Sequence, residues 1–327
     1  EENSDDSILE ILSKPILSAP RGFYDKAFLL SLSSEEEGAI VRYTVDLSEP
    51  TMENGIEYKE PISVARRLTI RAATFKPGFL PSETVTHSYL YRLSSSRRSL
   101  PVLSLVTDRS NLFGASGIME TNPRNTSKRG RSWERPVSVE YFLPDGSTGF
   151  QIDCGLRIQG GNYVRGRYNP SGSLPFSKYS FRLYFRGDYG ESELTYPIIP
   201  RSPADQYKQI VLRAGMNDNS NPFVVDELVR RLSADMGQVS AQGTLVNLYV
   251  NGAYEGYYNP TERIDEDFLD TWQGGNGDYD IIAQFGEVRA GDTVEWDRLK
   301  EMLGRDLSLP ENYNQASQVL QIDSFID

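Results

Sequence analysis

Four acidic side chains crowd into six residues directly after a tyrosine-rich hairpin. The stretch LVNLYVNGAYEGYYNPTERIDEDFL, residues 245–269, sets Glu262, Asp265, Glu266 and Asp267 just behind Tyr257 and Tyr258. Carboxylates at that spacing have two uses. They can open a helix, where negative charge beside the unsatisfied N–H groups contributes about 0.3–1 kcal/mol, or they can line a cleft and meet a ligand. Asp265 and Asp267 read as a helix start, and for Glu262 both uses stay open. A second polar run, Asn217-Asp218-Asn219-Ser220-Asn221, has the composition of a cation loop. It lacks the spacing and terminal Glu of a calcium loop. It reads instead as a helix cap, with Ser220 or Asn221 at the cap and Pro222 at the first helical position. The set Asp278, Asp280, Glu287, Asp292, Glu295 and Asp297 offers cation ligands by type, but its spacing selects no metal.

Other chemistries are closed off by counting. His87 is the single histidine, which rules against a Ser-His-Asp triad or a multi-histidine metal site. Cys154 is the single cysteine, so no disulfide forms within the chain. It falls in the alternating run FQIDCGLRI and reads as a small core residue. The net charge of −12 argues against a nucleic-acid partner, which needs a basic face. An acidic solvated surface accounts for that charge. No apolar run approaches the roughly 20 residues of a membrane helix. The opening EENSDDS lacks an initiator Met and reads as a trimmed start, as a removed signal peptide would leave.

The elements that must position these residues change character along the chain. Residues 13–92 alternate β-rich runs with turns: Phe28–Leu32, Ala39–Val45 and Arg67–Phe75, separated by Ser48-Glu49-Pro50-Thr51, Glu53-Asn54-Gly55 and Lys76-Pro77-Gly78. Short strands at that density argue for a small β-sandwich. The polar link LSSSRRS, residues 93–99, marks a boundary. Beyond it come strands at 100–106, 136–142 and 150–158, a basic surface loop at 121–135, and a Gly/Arg/Ser-rich segment from 159 leading to a return strand. A helix over 222–235 sets Val224, Val225, Leu228, Val229 and Leu232 on one face and ends at Met236-Gly237. Strands 244–250 and 254–259 join through Asn251-Gly252, a hairpin signal. Helices are expected near 265–272, 294–304 and 315–326.

Two resemblances follow from particular strings. VRYTVDLSEPTMENGIEYKEPISV with LTIRAATFKPGFLPSETVTHSYLY, within residues 15–91, resembles the chitobiase/β-hexosaminidase C-terminal-type domain, an Ig-like module of extracellular bacterial proteins. From about residue 100, LPVLSLVTDRSNLFGASGIM, WERPVSVEYFLPDG, LRIQGG, SKYSFRLYF and the hairpin with its ERID continuation resemble the CotH family, named for spore coat protein H. That resemblance implies an atypical protein-kinase-like fold, and transfer of phosphate from ATP to Ser of a partner protein in some members. It implies a nucleotide site with Arg157, Gly160, Gly161 and Arg165 in a phosphate loop running through Arg167 to Gly172. Lys178 or Arg182 would be the strand cation, Glu227 on the helix its partner, and Glu262 the adenine edge. Glycines let N–H groups approach phosphate, and arginines add charge. Each residue also has a plain structural use: a turn at Gly160-Gly161, a solvated face for the arginines, an exposed strand position for Lys178.

Where the resemblance places a catalytic loop, the chain stops at QIDSFID, and the segment reads GGNYVRGRYNPSG in place of GxGxxG. The expectation is therefore a fragment or an inactive member, with no catalytic base or metal ligand to name. In all, the sequence predicts an α+β chain. An Ig-like β-sandwich at 13–92 precedes a CotH-type, kinase-like domain at 99–327 whose C-terminal lobe is incomplete. The expected setting is extracellular or at a bacterial cell surface. If active, it is an ATP- and Mg²⁺-dependent protein kinase. The alternative is a non-catalytic surface or adhesion module that binds polysaccharide through aromatics such as Trp133, Tyr163 and Tyr168.

Overall fold

A computed structural model describes residues 10–160, 165–166, 177–215, 224–275, 277–283 and 286–326. Nine short strands make the N-terminal domain: β1 (Ile16–Leu17), β2 (Gly22–Tyr24), β3 (Phe28–Leu30), β4 (Leu32–Ser33), β5 (Ile40–Thr44), β6 (Ile56–Glu57), β7 (Ile62–Val64), β8 (Leu68–Phe75) and β9 (Val85–Tyr91). Five of them form a sheet in the order β2-β9-β8-β5-β6, beside the two-stranded ladders β1–β4 and β3–β7. Leu30, Leu32, Val41, Val64, Ile70, Ala72 and Tyr89 form one buried cluster drawn from both sets of strands. This is the sandwich expected from the turn spacing, since alternating residues from two layers must share one core. Phe28–Leu32 proves to be two strands broken at Ser31, whose N–H bonds the Ser18 hydroxyl instead of a ladder partner.

The link at 93–99 is helical over α1 (Ser95–Arg98). Then follow β10 (Val102–Val106), α2 (Arg109–Leu112), β11 (Arg135–Phe142), β12 (Thr148–Gln159), β13 (Arg165–Gly166), β14 (Ser177–Lys178), β15 (Ser180–Tyr184) and β16 (Gln209–Arg213). After α3 (Val225–Asp235) come β17 (Val246–Val250) and β18 (Ala253–Thr261). Seven of these strands close a barrel, β10-β11-β12-β15-β16-β18-β17. The closing pair is the one parallel ladder among them that is described, with Val102 opposite Asn247 and Leu105 opposite Val250. Cys154, Leu156, Ile158, Phe181, Leu183, Ile210 and Leu212 are buried at alternate positions, while Arg157, Gln159 and Arg182 on the opposite phase are half-buried. Period-2 alternation sorts them, apolar side chains inward.

The hairpin β17–β18 turns at Asn251 and Gly252, with φ of 51° and 74°. Both residues lie in the left-handed region, as a two-residue turn matched to strand twist requires. Asn251 Oδ1 also accepts the Thr107 N–H at 2.9 Å, tying the turn to the end of β10.

The chain divides into two compact units, and the division does not fall at 93–99. The first holds residues 1–196, 206–223 and 245–260, so it contains both the sandwich and nearly all of the barrel. Leu90, Val102, Phe142 and Tyr249 form a second buried cluster that joins the two, with Phe23 packed against it. The second unit holds residues 197–205, 224–244 and 261–327. It carries α3, α4 (Glu266–Gln273), the hairpin β19 (Ile281–Ala283) and β20 (Glu287–Ala290), α5 (Val294–Leu303), α6 (Pro310–Val319) and α7 (Ile322–Ile326). The expected helix over 315–326 is thus two helices broken at Leu320-Gln321. α3 begins at Val225, with Val224 at a cap position that makes no side-chain cap bond. The cap expected at Ser220-Asn221, and the whole 217–221 run, lies outside the described residues.

Candidate functional site

Lys178 ends β14 and is only 2% exposed. Burying an ammonium is costly unless donors and charge are met. Here Lys178 Nζ donates to the Tyr257 carbonyl at 2.5 Å and lies 4.6 Å from the centroid of the Tyr258 ring. Tyr258 is itself fully buried, stacks near Phe181 and donates its hydroxyl to the Tyr179 carbonyl at 2.8 Å. Gly256 stands on the same hairpin with φ of 100°, and a Cβ there would come to 4.0 Å from Nζ. Lys178 is therefore a buried cation held against the tyrosine hairpin, not an exposed strand residue.

Arg182 occupies a different place. It sits on the outer wall of the barrel, directly opposite Arg157 in the β12–β15 register. Its Nε donates to Gln159 Oε1 at 2.8 Å, and a second nitrogen reaches Gln209 Oε1 at 3.4 Å. Lys178 and Arg182 are thus not two candidates for one role. Gly160 closes β12 with φ of 76°, a left-handed position suited to glycine. The backbone of Arg165 pairs with that of Lys178 in the β13–β14 ladder. Gly161, Arg167, Gly172, Tyr163 and Tyr168 lie outside the described residues, as does the side chain of Arg165.

In the second unit, Glu227 is the buried residue of α3. Its two oxygens accept from Arg230 at 2.6 Å and Arg231 at 2.7 Å on the same helix. The apolar face expected on this helix is real as a stripe, but Val225, Leu228, Val229 and Leu232 are all exposed. Glu262 is buried and braced by three donors: Ser202 Oγ at 2.5 Å, the Gln242 N–H at 2.7 Å and Trp272 Nε1 at 3.2 Å. Burial raises its pKa, against the pull of those donors and of Arg230. A carboxylate so engaged organises the chain around it. Asp265 caps α4 by accepting the Phe268 N–H at 3.2 Å, as the acidic run predicts. Asp280 accepts the Asp292 N–H at 2.7 Å, and the described residues bring together no group of three acidic, His or Cys side chains able to hold a metal.

Three other expectations can be placed. Cys154 is buried in the barrel, and burial pushes its thiol well above the ordinary value, as for an inert core residue. His87 is half-buried on β9 and pushed down to about 4, by burial first and then by the charge of Arg21. Trp133 is half-buried, with Arg135 and Lys128 over its ring at 5.2 and 5.9 Å.

Glu140 is the group that sequence reasoning passed over. It is fully buried on β11, accepts the Ser88 N–H of β9 at 2.9 Å, and leaves Oε2 without a hydrogen-bond partner. Burial raises its pKa to about 7, against the effects of Ser88, Arg21 and Ser104. The available signal was a lone charge in the run PVSVEYF, where both neighbours are core residues. Among the described residues, no helix is long and apolar enough to cross a membrane.

Residues 30–89 match the family described as Fn3 associated, in agreement with the N-terminal sandwich. No curated protein matches the chain. Residues 156–327 match the family described as CotH kinase protein. That match takes in more than half of the 327 residues, along with the hairpin, the buried Lys178 and the braced Glu262, and the chain belongs to the CotH kinase protein family.

Proposed function

We propose that this CotH region is the nucleotide-binding part of an ATP-dependent protein kinase acting on Ser or Thr of a partner protein, in a secreted or cell-surface bacterial setting. The observation that carries the reading is Lys178: a buried ammonium held on the tyrosine hairpin, at the return of the Gly/Arg-rich segment. Burial in low dielectric strengthens its attraction for a phosphate. ATP would supply the transferable phosphoryl group. Lys178 would hold its phosphates, with the backbone around Gly160 adjoining. Glu262 belongs to the second unit, where Ser202, Gln242 and Trp272 brace it. Glu227 belongs to the unit of α3, where its described partners are Arg230 and Arg231. The described residues assemble no carboxylate cage for Mg²⁺, so no step is assigned to a metal.

Calorimetric titration with ATP, with and without Mg²⁺, tests this on the wild type and on Lys178→Ala. Binding that disappears in the variant, while its melting curve still shows a folded protein, supports the reading. Equal binding by both removes Lys178 from it, and silence from the wild type removes the nucleotide.

A non-catalytic polysaccharide-binding module is the second reading, and one observation favours it. A cavity of about 780 Å³ opens between the sandwich and the barrel inside the first unit, lined by Arg71, Glu83, Asn111, Gln151, Asp153 and Glu191 among others. That size suits a small ligand, and the amide and carboxylate lining suits a polyol. Binding on a glycan array that Asp153→Ala abolishes would support it.

A further inference from the structure

The seam between the sandwich and the barrel, inside the first unit, holds a second cavity of about 490 Å³. Neither the nucleotide reading nor the larger cavity uses it. Three hydroxyls run in a row along it. Thr69 and Ser88 stand opposite each other on β8 and β9 with their oxygens 3.0 Å apart, and Ser88 Oγ lies 3.4 Å from Ser104 Oγ of β10. Ser88 and Ser104 are deeply buried. Each hydroxyl can both donate and accept, so the row suits a partner that carries hydroxyls itself. Leu68 and Leu90 add apolar surface to the lining, as the C–H face of a sugar requires.

Two arginines complete the lining. Arg66 and Arg67, between β7 and β8, are exposed and make no hydrogen bond or ion pair among the described residues. Asp46, the acidic member of the lining, is already engaged: its Oδ1 accepts the Ser48 N–H at 3.2 Å and the Ser48 hydroxyl at 2.6 Å. Two arginines against one aspartate leave one positive charge over, enough for one carboxylate, whose two oxygens fit the N–H fork of a guanidinium. Asn251 gives its Oδ1 to the Thr107 N–H, and its amide nitrogen makes no bond among the described residues. Leu47 also lines the cavity, with φ of 76°. Asn251 is left-handed for the sake of its hairpin, but a leucine has no side-chain bond to offset that conformation, and such departures collect at ligand sites.

We propose that this cavity binds a uronic acid, a sugar bearing one carboxylate, with Arg66 and Arg67 on the carboxylate, and Thr69, Ser88, Ser104 and the Asn251 amide on the sugar hydroxyls. The site stands apart from the Lys178 reading and does not depend on it. A net charge of −12 over the whole chain makes attraction for an anion here a local feature, not a bulk one.

Calorimetric titration of the full chain with sodium glucuronate at constant ionic strength, against a sodium chloride blank, reads the site out. Saturable binding is expected. Glucose and sodium acetate each carry half of the ligand's chemistry and should bind more weakly than glucuronate. The double variant Arg66→Gln, Arg67→Gln should weaken glucuronate binding about tenfold or more, the scale of one charged hydrogen bond. Thr69→Val keeps the shape of the side chain, removes its hydroxyl and should weaken binding several-fold. Melting curves establish that both variants are folded. Arg124→Gln, which removes the same charge from an exposed loop residue outside the cavity, should bind as the wild type does. Methyl glucuronide run in parallel identifies the source: tighter binding than glucuronate means a residue within a polysaccharide, weaker binding the free sugar acid. Absence of saturable binding by both glucuronate and methyl glucuronide overturns the proposal. So does wild-type affinity in the double arginine variant, equal affinity for glucose or acetate, or an equal loss in Arg124→Gln, which would make the attraction one of bulk charge.

Discussion

Replacing Glu140 by Gln should make the protein more stable, and by an amount that grows with pH. The carboxyl is wholly buried between β11 and β9, and its pKa is raised to about 7 from an ordinary 4.5. The folded protein therefore holds the Glu140 proton more tightly than the unfolded chain does. Between those two values the folded state binds more protons, so stability falls as pH rises. The favourable contribution is complete below about pH 4.5 and gone once pH has passed about 7. At about 1.4 kcal/mol per pKa unit, the loss amounts to about 3 kcal/mol. Gln has the same shape, keeps an oxygen for the Ser88 N–H, and turns an –NH₂ toward the position where Oε2 has no partner. His87, already pushed down to about 4, carries no charge change through this window. Urea unfolding of wild type and Glu140→Gln at pH 5, 6, 7 and 8 measures the difference, and equal m-values establish that the two chains expose the same surface. The stability gap should be small at pH 5 and widen by about 3 kcal/mol by pH 8. A gap that stays constant across the series would mean that Glu140 keeps one charge state throughout, and would refute burial as its dominant influence.

Other outcomes follow from the same contacts. Asn251→Ala should cost about 1–2 kcal/mol, since it loses both a residue suited to φ of 51° and the acceptor for the Thr107 N–H; thermal unfolding reads this. Glu262→Ala orphans three donors at once and should raise hydrogen exchange at Gln242 and in α4, while strands β10 to β12 of the other unit exchange as before. Phe142→Ala empties the cluster that joins sandwich to barrel and should cost about 3–5 kcal/mol in chemical unfolding. An unfolding midpoint unchanged by that last substitution would show that the two halves of the first unit hold independently.

Local chemistry was legible in the sequence wherever one short stretch decides the outcome. Asn251-Gly252 dictates its turn, Asp265 its cap, and the alternation around Cys154 its buried strand. Reading failed where partners are distant. Nothing in QIVLR announces that β16 completes a barrel, because its neighbours β15 and β18 lie far away in sequence. The 93–99 link looked like a boundary by composition, yet Leu90 and Val102 on either side of it share one core with Tyr249. Glu262 was undecided because its donors come from residues 202, 242 and 272, which no window spans. Lys178 and Arg182 looked interchangeable at four residues apart. Lys178 lies in the two-stranded β13–β14 ladder, while Arg182 already belongs to the barrel strand β15.

The parallel closure of β10 on β17 sets where this protein can be cut. Family similarity begins at residue 156, but the barrel takes two strands and most of a third from before that point. A fragment trimmed to the similarity alone would lose β10 and β11 and bare the flank of β17 along Asn247 to Val250, together with the stump of β12. Rows of unpaired N–H and C=O groups on flat apolar strands recruit other chains. During synthesis the same geometry makes β10 wait for a partner about 145 residues downstream, a long loop to close. The sandwich, complete by Tyr91, is the part of the first unit that can fold early and shelter β10 through Leu90 and Phe142 until the hairpin emerges.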